Sequence, residues 1–358
     1  MVALWAVNAI ACVPPRGFGP ARDDPAPAAR DAAESLGNQP TRVWRTGAGP
    51  SVRGAPVVGT AVVVVGTTDR AVVLLDRARG TVLWRRGVPG TVRAALSLAG
   101  DRVFVGTEAT PEGRVLALDL HSGRTVWSTA TGGVSAALAL TDDALYAGTE
   151  SGTALRLDRA TGHVRWRQQL SGAVRATPLL APDGLLVATT TDSLFVLDPE
   201  TGSLRTRRAL GGSVLGAPVV VARRVLCATT AGDILALDLP ALTTAWTLQV
   251  DDAVFGAPVL VGDTLIVVNR AGTLWRVPLA APHSAHADSL NVPVTAGPTV
   301  VAGGIVIAAA TGDVVLVDTK SGAIRWRVHV PGPIEGSPQV RGGQLVVASG
   351  RGDVQVYQ

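Results

Sequence analysis

Cysteine, lysine, methionine and histidine are almost missing. In 358 residues there are two cysteines, one lysine (Lys320), one methionine and five histidines. Cys12 and Cys227 lie far apart, so no disulfide framework is expected. Cys227 falls in an apolar run, Val225–Thr229, where a small buried hydrophobe is the natural reading. The histidines are scattered, no Ser/His/Asp set or phosphate-binding loop accompanies them, and no catalytic constellation stands out. Aromatics are 4% and the arginines are spread over the whole chain. A nucleic-acid surface needs a basic stripe with interleaved aromatics, so the net charge of +4 reads as a compositional bias toward Arg and not as a nucleic-acid footprint. No apolar run reaches the roughly 20 residues of a membrane-spanning helix. The longest, around Val300–Ala310, is broken by Gly303 and Gly304 and reads as strand, turn, strand. Charged residues are only 17% and mean hydropathy is +0.31, which many buried strands account for.

What the chain has is a repeat. Ala117–Trp127 reads ALDLHSGRTVW, Leu74–Trp84 LLDRARGTVLW, Arg156–Trp166 RLDRATGHVRW and Leu316–Trp326 LVDTKSGAIRW. Val196–Thr206 keeps the turn but loses the Trp, and Ala236–Trp246 keeps Asp and Trp but loses the Gly. Trp44, Trp84, Trp127, Trp166, Trp246 and Trp326 follow one another at 40, 43, 39, 80 and 80 residues. A second marker, VRGAP at 52–56, recurs as VRATP, VLGAP, VFGAP, VTAGP and IEGSP, and VRAAL (92–96) and VSAAL (134–138) fill the gaps. That makes eight copies.

Each copy holds four short apolar runs bounded by Gly, Asp and Thr. In the third these are Val134–Leu140, Ala144–Gly148, Ala154–Leu157 and His163–Gln168. Such runs read as strands. Four strands per roughly 40 residues is the period of a propeller blade. The expected fold is therefore all-β, an eight-bladed β-propeller of four-stranded antiparallel blades over 41–358. After Trp326 and its strand the chain supplies only three more strands, and the missing fourth is Thr41–Thr46. The N-terminal strand should close the last blade.

The residue types explain the repeat. Asp in the Asp-x-x-Thr/Ser-Gly turn bonds nearby backbone N–H groups and Gly takes φ > 0. The Trp should wedge between blades, burying about 150–250 Å², worth roughly 4–6 kcal/mol before entropy. Gly and Ala of the GAP marker are expected in the strand lining the axis, where space is shortest. Arg follows the Trp at 45, 85, 167 and 327, on the expected outermost strand, where charge discourages edge-to-edge association.

Other stretches are less regular. Met1–Cys12 is short, apolar and ends in small residues before Cys12, which resembles a lipoprotein signal with Cys12 as lipid attachment; the alternative is a truncated ordinary signal or a plain apolar start. Residues 13–40 hold six prolines and much Ala and read as a tether, with a helical turn at Ala28–Ser35. In the seventh unit, Leu274–Ala287 has no Asp or Gly turn and no docking Trp. It includes His283-x-x-His286-x-Asp288, a spacing open to a metal but commoner in a plain polar loop. Arg351-Gly352-Asp353 matches the inter-strand turns at 311–313 and 231–233, so a turn suffices. The residue after the marker's first position reads, blade by blade, Arg53, Arg93, Ser135, Arg175, Leu215, Phe255, Thr295 and Glu335. This predicts a lopsided channel rim: cationic on blades one, two and four, apolar on five and six, acidic on eight. Either it merely solvates the channel mouth or it takes up an anionic ligand or an acidic partner segment, since Arg grips carboxylates bidentately.

Ala117, Asp119, Gly123 and Trp127 match the Ala-x-Asp-x-x-x-Gly-x-x-x-Trp docking motif, and over 41–358 the chain resembles the quinoprotein-type, PQQ-like β-propeller family. Blade count and size are more similar to its branch of outer-membrane assembly lipoproteins, the BamB type. That resemblance implies a non-enzymatic, monomeric periplasmic scaffold without cofactor, held at the outer membrane only through a lipid anchor. Its implied partner is a β-barrel insertase or the insertase's substrates. The other branch implies a PQQ-dependent dehydrogenase with calcium, the rim arginines holding the quinone carboxylates. That branch typically carries a vicinal Cys pair beside the quinone, and only Cys227 lies in this domain. A third expectation is an envelope sensor for a small ligand or a peptidoglycan fragment.

Overall fold

In the computed structural model the described residues are 36–37, 39–93, 96–109 and 112–358. The signal-like segment with Cys12 and nearly all of the Pro/Ala-rich tether, including Ala28–Ser35, lie outside them. The described residues form eight four-stranded antiparallel sheets. Blades 1 to 7 are each built from four strands consecutive in sequence, from Val57–Val58 in blade 1 to Ile324–His329 in blade 7. Blade 8 takes Gln339–Arg341, Gln344–Ala348 and Asp353–Tyr357 from the C-terminus, and Arg42–Gly47 completes it. Trp44 pairs with Val356 and Gly47 with Asp353. The closure expected from the repeat is the closure observed.

The apolar runs are continuous because both faces of each blade are covered. Val63 and Val65 join the cluster shared with blade 8, and Val64, between them, joins the cluster shared with blade 2. Side chains alternate across a strand, so one run feeds two interfaces. The core is accordingly a set of layers between neighbouring blades, not one central mass.

The turns follow the predicted chemistry. Asp158 accepts from the Thr161 N–H at 3.0 Å, and Asp198 from the Thr201 N–H at 2.8 Å. Gly162 and Gly202 close these turns at φ +71° and +73°. Each turn then receives the indole of the preceding blade. A Cβ on Gly80, Gly123, Gly162 or Gly202 would strike Trp44, Trp84, Trp127 or Trp166 respectively. The four indole N–H groups donate to carbonyls in the same turns: Arg77 and Leu120 at 2.8 Å, Arg159 at 3.1 Å and Pro199 at 3.0 Å.

Trp246 and Trp326 also reach the next blade, but their Nε1 atoms are buried with no partner among the described residues. Beyond Trp246 the next blade's turn is replaced by a loop with a 3-10 turn at Pro282–Ser284. Beyond Trp326 the outer turn does not exist, because blade 8 gets its outer strand from the other end of the chain. Leu36 and Tyr357 pack in that cluster instead.

Two expectations need correction. Val134–Leu140 is not one strand: only Ala139–Leu140 pairs. The GAP marker therefore precedes the inner strand. Its small residues are still required by crowding, because a Cβ on Gly216, Gly256 or Gly336 would collide with the backbone of the next blade's marker. Chain entering each blade crosses the tightest point of the ring, leaving no neighbour to pair with there. The degenerate stretch Leu274–Ala287 belongs to the sixth sheet, not the seventh. Counting tryptophan strands from Trp44 makes it seventh, but the Trp44 strand belongs to the last sheet.

Candidate functional site

Each blade is entered by a marker segment whose first residue is buried, from Val52 to Ile334. Its N–H reaches back to the preceding blade: Val134 to the Thr107 carbonyl at 3.1 Å, Val174 to that of Thr149 at 2.9 Å. The turn after the second strand also bonds the segment entering its own blade, Glu108 N–H to Thr91 O and Glu150 N–H to Gly133 O, both at 2.8 Å. The bond from the turn recurs in all eight blades, from Thr68 N–H to Ser51 O in blade 1 to Gly350 N–H to Pro333 O in blade 8, and it holds the rim position predicted from sequence beside the residue that makes it.

At the rim position the charged residues Arg53, Arg93, Arg175 and Glu335 are exposed, whereas Ser135, Leu215, Phe255 and Thr295 are half-buried. The structure pairs every rim arginine with a glutamate. Arg53 meets Glu335 across the closure at 3.5 Å. Arg93 Nε lies 3.2 Å from Glu108. Arg175 grips Glu150 through Nε at 3.1 Å and Nη2 at 2.9 Å, and the Ser135 hydroxyl donates to the same carboxylate. Three guanidinium groups thus face three carboxylates, and the surface predicted as cationic is a set of ion pairs.

Glu108 and Glu150 were not singled out from sequence. Their signal was Gly-Thr-Glu, at 106–108 and again at 148–150, one repeat apart. Burial pushes the Glu108 carboxyl above its ordinary value, against the opposing charge of Arg93, and the Glu150 charge adds to the rise. Burial is also the largest influence on Glu150, but the hydrogen bonds from Arg175 and Ser135 outweigh it and hold that carboxyl below its ordinary value.

Between these groups opens a cleft of about 790 Å³, lined by Arg93, Glu108, Gly132, Gly133, Glu150 and Arg175 among others. It spans blades 2 to 4. Leu215, Phe255 and Thr295 stand on blades 5 to 7 and are not part of it.

The other candidates resolve simply. Asp288 is held by Arg276 at 2.6 Å, and no group of three His, Cys, Asp or Glu residues able to hold a metal occurs among the described residues. Asp353 of the Arg-Gly-Asp turn is paired with Arg45 at 2.6 Å. The Cys227 thiol is fully buried and pushed up to about 12 by that burial, which leaves it inert.

A family model described as outer membrane protein assembly factor BamB matches residues 35–179, 178–274 and 264–358. The chain belongs to that family. Among solved structures, BamB from Moraxella catarrhalis superposes with a TM-score of 0.75 at 18% identity, over 89% of this chain and 99% of that one. The computationally designed protein Ika8 superposes with a TM-score of 0.76 at 16% identity, over 88% of this chain and 99% of its own. At such identities these two likenesses speak for the propeller fold alone. No curated protein matches the sequence significantly.

Proposed function

We propose that this BamB-family chain is a non-enzymatic binding scaffold of the cell envelope that assists the assembly of outer-membrane β-barrel proteins. The observation that carries the reading is the family match along the whole propeller. Location in the periplasm follows from the same reading, with Cys12 as a lipid attachment and residues 13–40 as the spacer that lets the ring stand off the membrane. No helix among the described residues is long and apolar enough to cross a membrane.

The residues do not fit the quinone of the related dehydrogenases. The propeller's one cysteine is buried inside a sheet, so no vicinal pair is available. Each rim arginine is paired with a glutamate carboxylate, which offsets the positive charge a quinone carboxylate would meet there.

The test is capture of the purified periplasmic domains of a β-barrel insertase by the immobilised full chain. Saturable binding is the expected result. A folded chain that fails to retain them, and whose depletion leaves outer-membrane barrel levels unchanged, overturns the reading.

A further inference from the structure

The outer strands of the blades differ in one residue. Each outer strand starts at the end of the ring away from the markers, because the second strand ends at the rim and the third runs back from it. In seven blades its pairing slips by one residue just before the tryptophan position. Such a bulge frees one side chain from the ladder and re-aims it. On blades 3, 4 and 7 the freed residue is Arg165, Arg205 or Arg325, and each folds back onto the aspartate of its own turn. On blade 5 it is Ala245. On blades 8, 1 and 2 it is Val43, Leu83 and Val126, which are 45%, 52% and 44% exposed, and Val82 beside Leu83 is 47% exposed.

The docking of the blades joins these side chains into one strip. Trp44, next to Val43, packs on Gly80, two residues before Val82. Trp84, next to Leu83, packs on Gly123, three residues before Val126. The other exposed large apolar side chains among the described residues, Leu204 and Ile324, stand singly on blades 4 and 7. Single ones need no explanation, whereas a grouped patch marks a contact.

Charge and shape say what the contact is with. The outer strands of blades 8, 1 and 2, RVWRTG, VLWRRG and TVWSTA, hold no acidic residue. Arg42, Arg86 and Arg124, on or just before them, are exposed and have no carboxylate partner among the described residues. The outer wall of a closed ring is convex, so it offers no pocket of the kind that seats a protein's anchor residues. A deformable partner fits it. Protruding apolar side chains among unpaired arginines are the composition of a surface that lies on anionic lipid. The chain also enters the propeller here. Thr41 and Gln358 bond one another at the start of the blade 8 strand, so residues 1–40 lead to this corner.

We propose that the outer wall of blades 8, 1 and 2 rests on an anionic lipid bilayer. Val43, Val82, Leu83 and Val126 enter the headgroup region, and Arg42, Arg86 and Arg124 meet lipid phosphates. The spacer permits a range of distances from the membrane, and this wall sets the orientation at the shortest. The proposal goes beyond the assembly reading and uses neither the insertase nor its substrates.

The probe is vesicles of phosphatidylcholine, alone or mixed in equal parts with phosphatidylglycerol. The protein is the full chain carrying C12S, so that no acyl chain drives binding. Flotation with the mixed vesicles is expected, weakening as salt is raised. The fourfold variant V43T/V82T/L83T/V126T keeps strand-forming residues and should lower the partition coefficient by at least about tenfold. L204T/I324T should leave it unchanged, and R42Q/R86Q/R124Q should remove the preference for mixed vesicles. A polarity-sensitive dye on V126C reads the orientation with the rest of the wall intact, and buried Cys227 does not compete for it. Its emission should shift to the blue on mixed vesicles, whereas the same dye on L204C should not respond. No flotation, flotation undiminished in the fourfold variant, or equal shifts from V126C and L204C would each overturn the proposal. So would a dimer in solution that the fourfold variant abolishes, which would give the wall to a second copy of the chain. Insertase capture is measured on the same proteins. Capture without flotation defeats this proposal alone, and flotation without capture defeats the assembly reading alone.

Discussion

The two halves of the ring are joined differently. Four successive interfaces, from blade 8 to blade 4, use one device: an indole over a turn glycine, its N–H bonded to the turn. The other four use four devices. Between blades 4 and 5 the partners are exchanged. Thr206 replaces the Trp, and Leu242, at φ +56° where the turn glycine would be, is fully buried and packs with Leu194, Val196 and Leu210 of blade 4. Between blades 5 and 6 Trp246 packs near Leu279 and Ala285 without a partner for its N–H. Between blades 6 and 7 Arg276, held by Asp288, donates to the Lys320 carbonyl of the next turn. Between blades 7 and 8 Leu36 joins Trp326 where no turn exists. A ring needs every interface filled, but it does not need them filled alike. The ion-paired cleft lies on blades 2 to 4, within the uniform half.

The largest effect expected from this difference is at the tryptophans. Trp127→Ala should cost about 3–5 kcal/mol in urea denaturation. Trp246→Ala should cost about 1 kcal/mol less, because no indole hydrogen bond is lost there. Equal losses would mean that the bond to the Arg159 carbonyl contributes nothing.

Next is Gly162→Ala. It forces a side chain into the left-handed region, about 1–2 kcal/mol by itself, and drives it into Trp127. The loss should exceed that strain, and a stability unchanged from the parent would show that the turn shifts freely.

A smaller effect tests the exchange at Leu242. Thr206→Trp alone should fail to stabilise, since Leu242 fills the space. Leu242→Gly alone should destabilise by removing a buried side chain. Combined, they should recover at least about 1 kcal/mol relative to the sum of the singles, the coupling of two residues in contact. Strict additivity would refute the exchange.

The smallest effect is acid sensitivity. The hydrogen bond from Arg165, then those from Thr161, hold the Asp158 carboxyl down at about 2. The backbone N–H of Thr201, then Arg205, hold Asp198 also at about 2. Unfolded aspartate titrates near ~3.9. Folded values are depressed, so the stabilisation is present above that value and is lost as pH falls from about 4 toward 2. Asp238, at the same turn position of blade 5, instead bonds Arg224 at 2.8 Å. The double variant D158N/D198N should therefore flatten the acid limb of the stability profile, and an unchanged limb would count against the turn carboxylates.

The sequence was legible where the physics is local. The Asp-to-Gly turn, the alternating strands and the spacing of the tryptophans each depend on residues within one repeat, and they carried the eight-bladed architecture and its closure. Legibility failed at the axis, where the marker was read as strand. Whether a segment pairs depends on which backbone stands beside it, and at the centre of the ring the neighbour is another blade's marker. At the rim, the three arginines and Glu335 were visible but Glu108 and Glu150 were not, since they lie outside the marker, and Arg175 and Glu150 come from different blades, 25 positions apart.

The chain by itself thus determined the blade, its number and the strand that seals the ring, since these follow from short-range chemistry repeated in a fixed frame. Only the tertiary structure decided how each seam is filled and what charge the rim presents. Those properties belong to pairs of residues on adjoining blades, and a repeat pattern records each member without recording which one it meets.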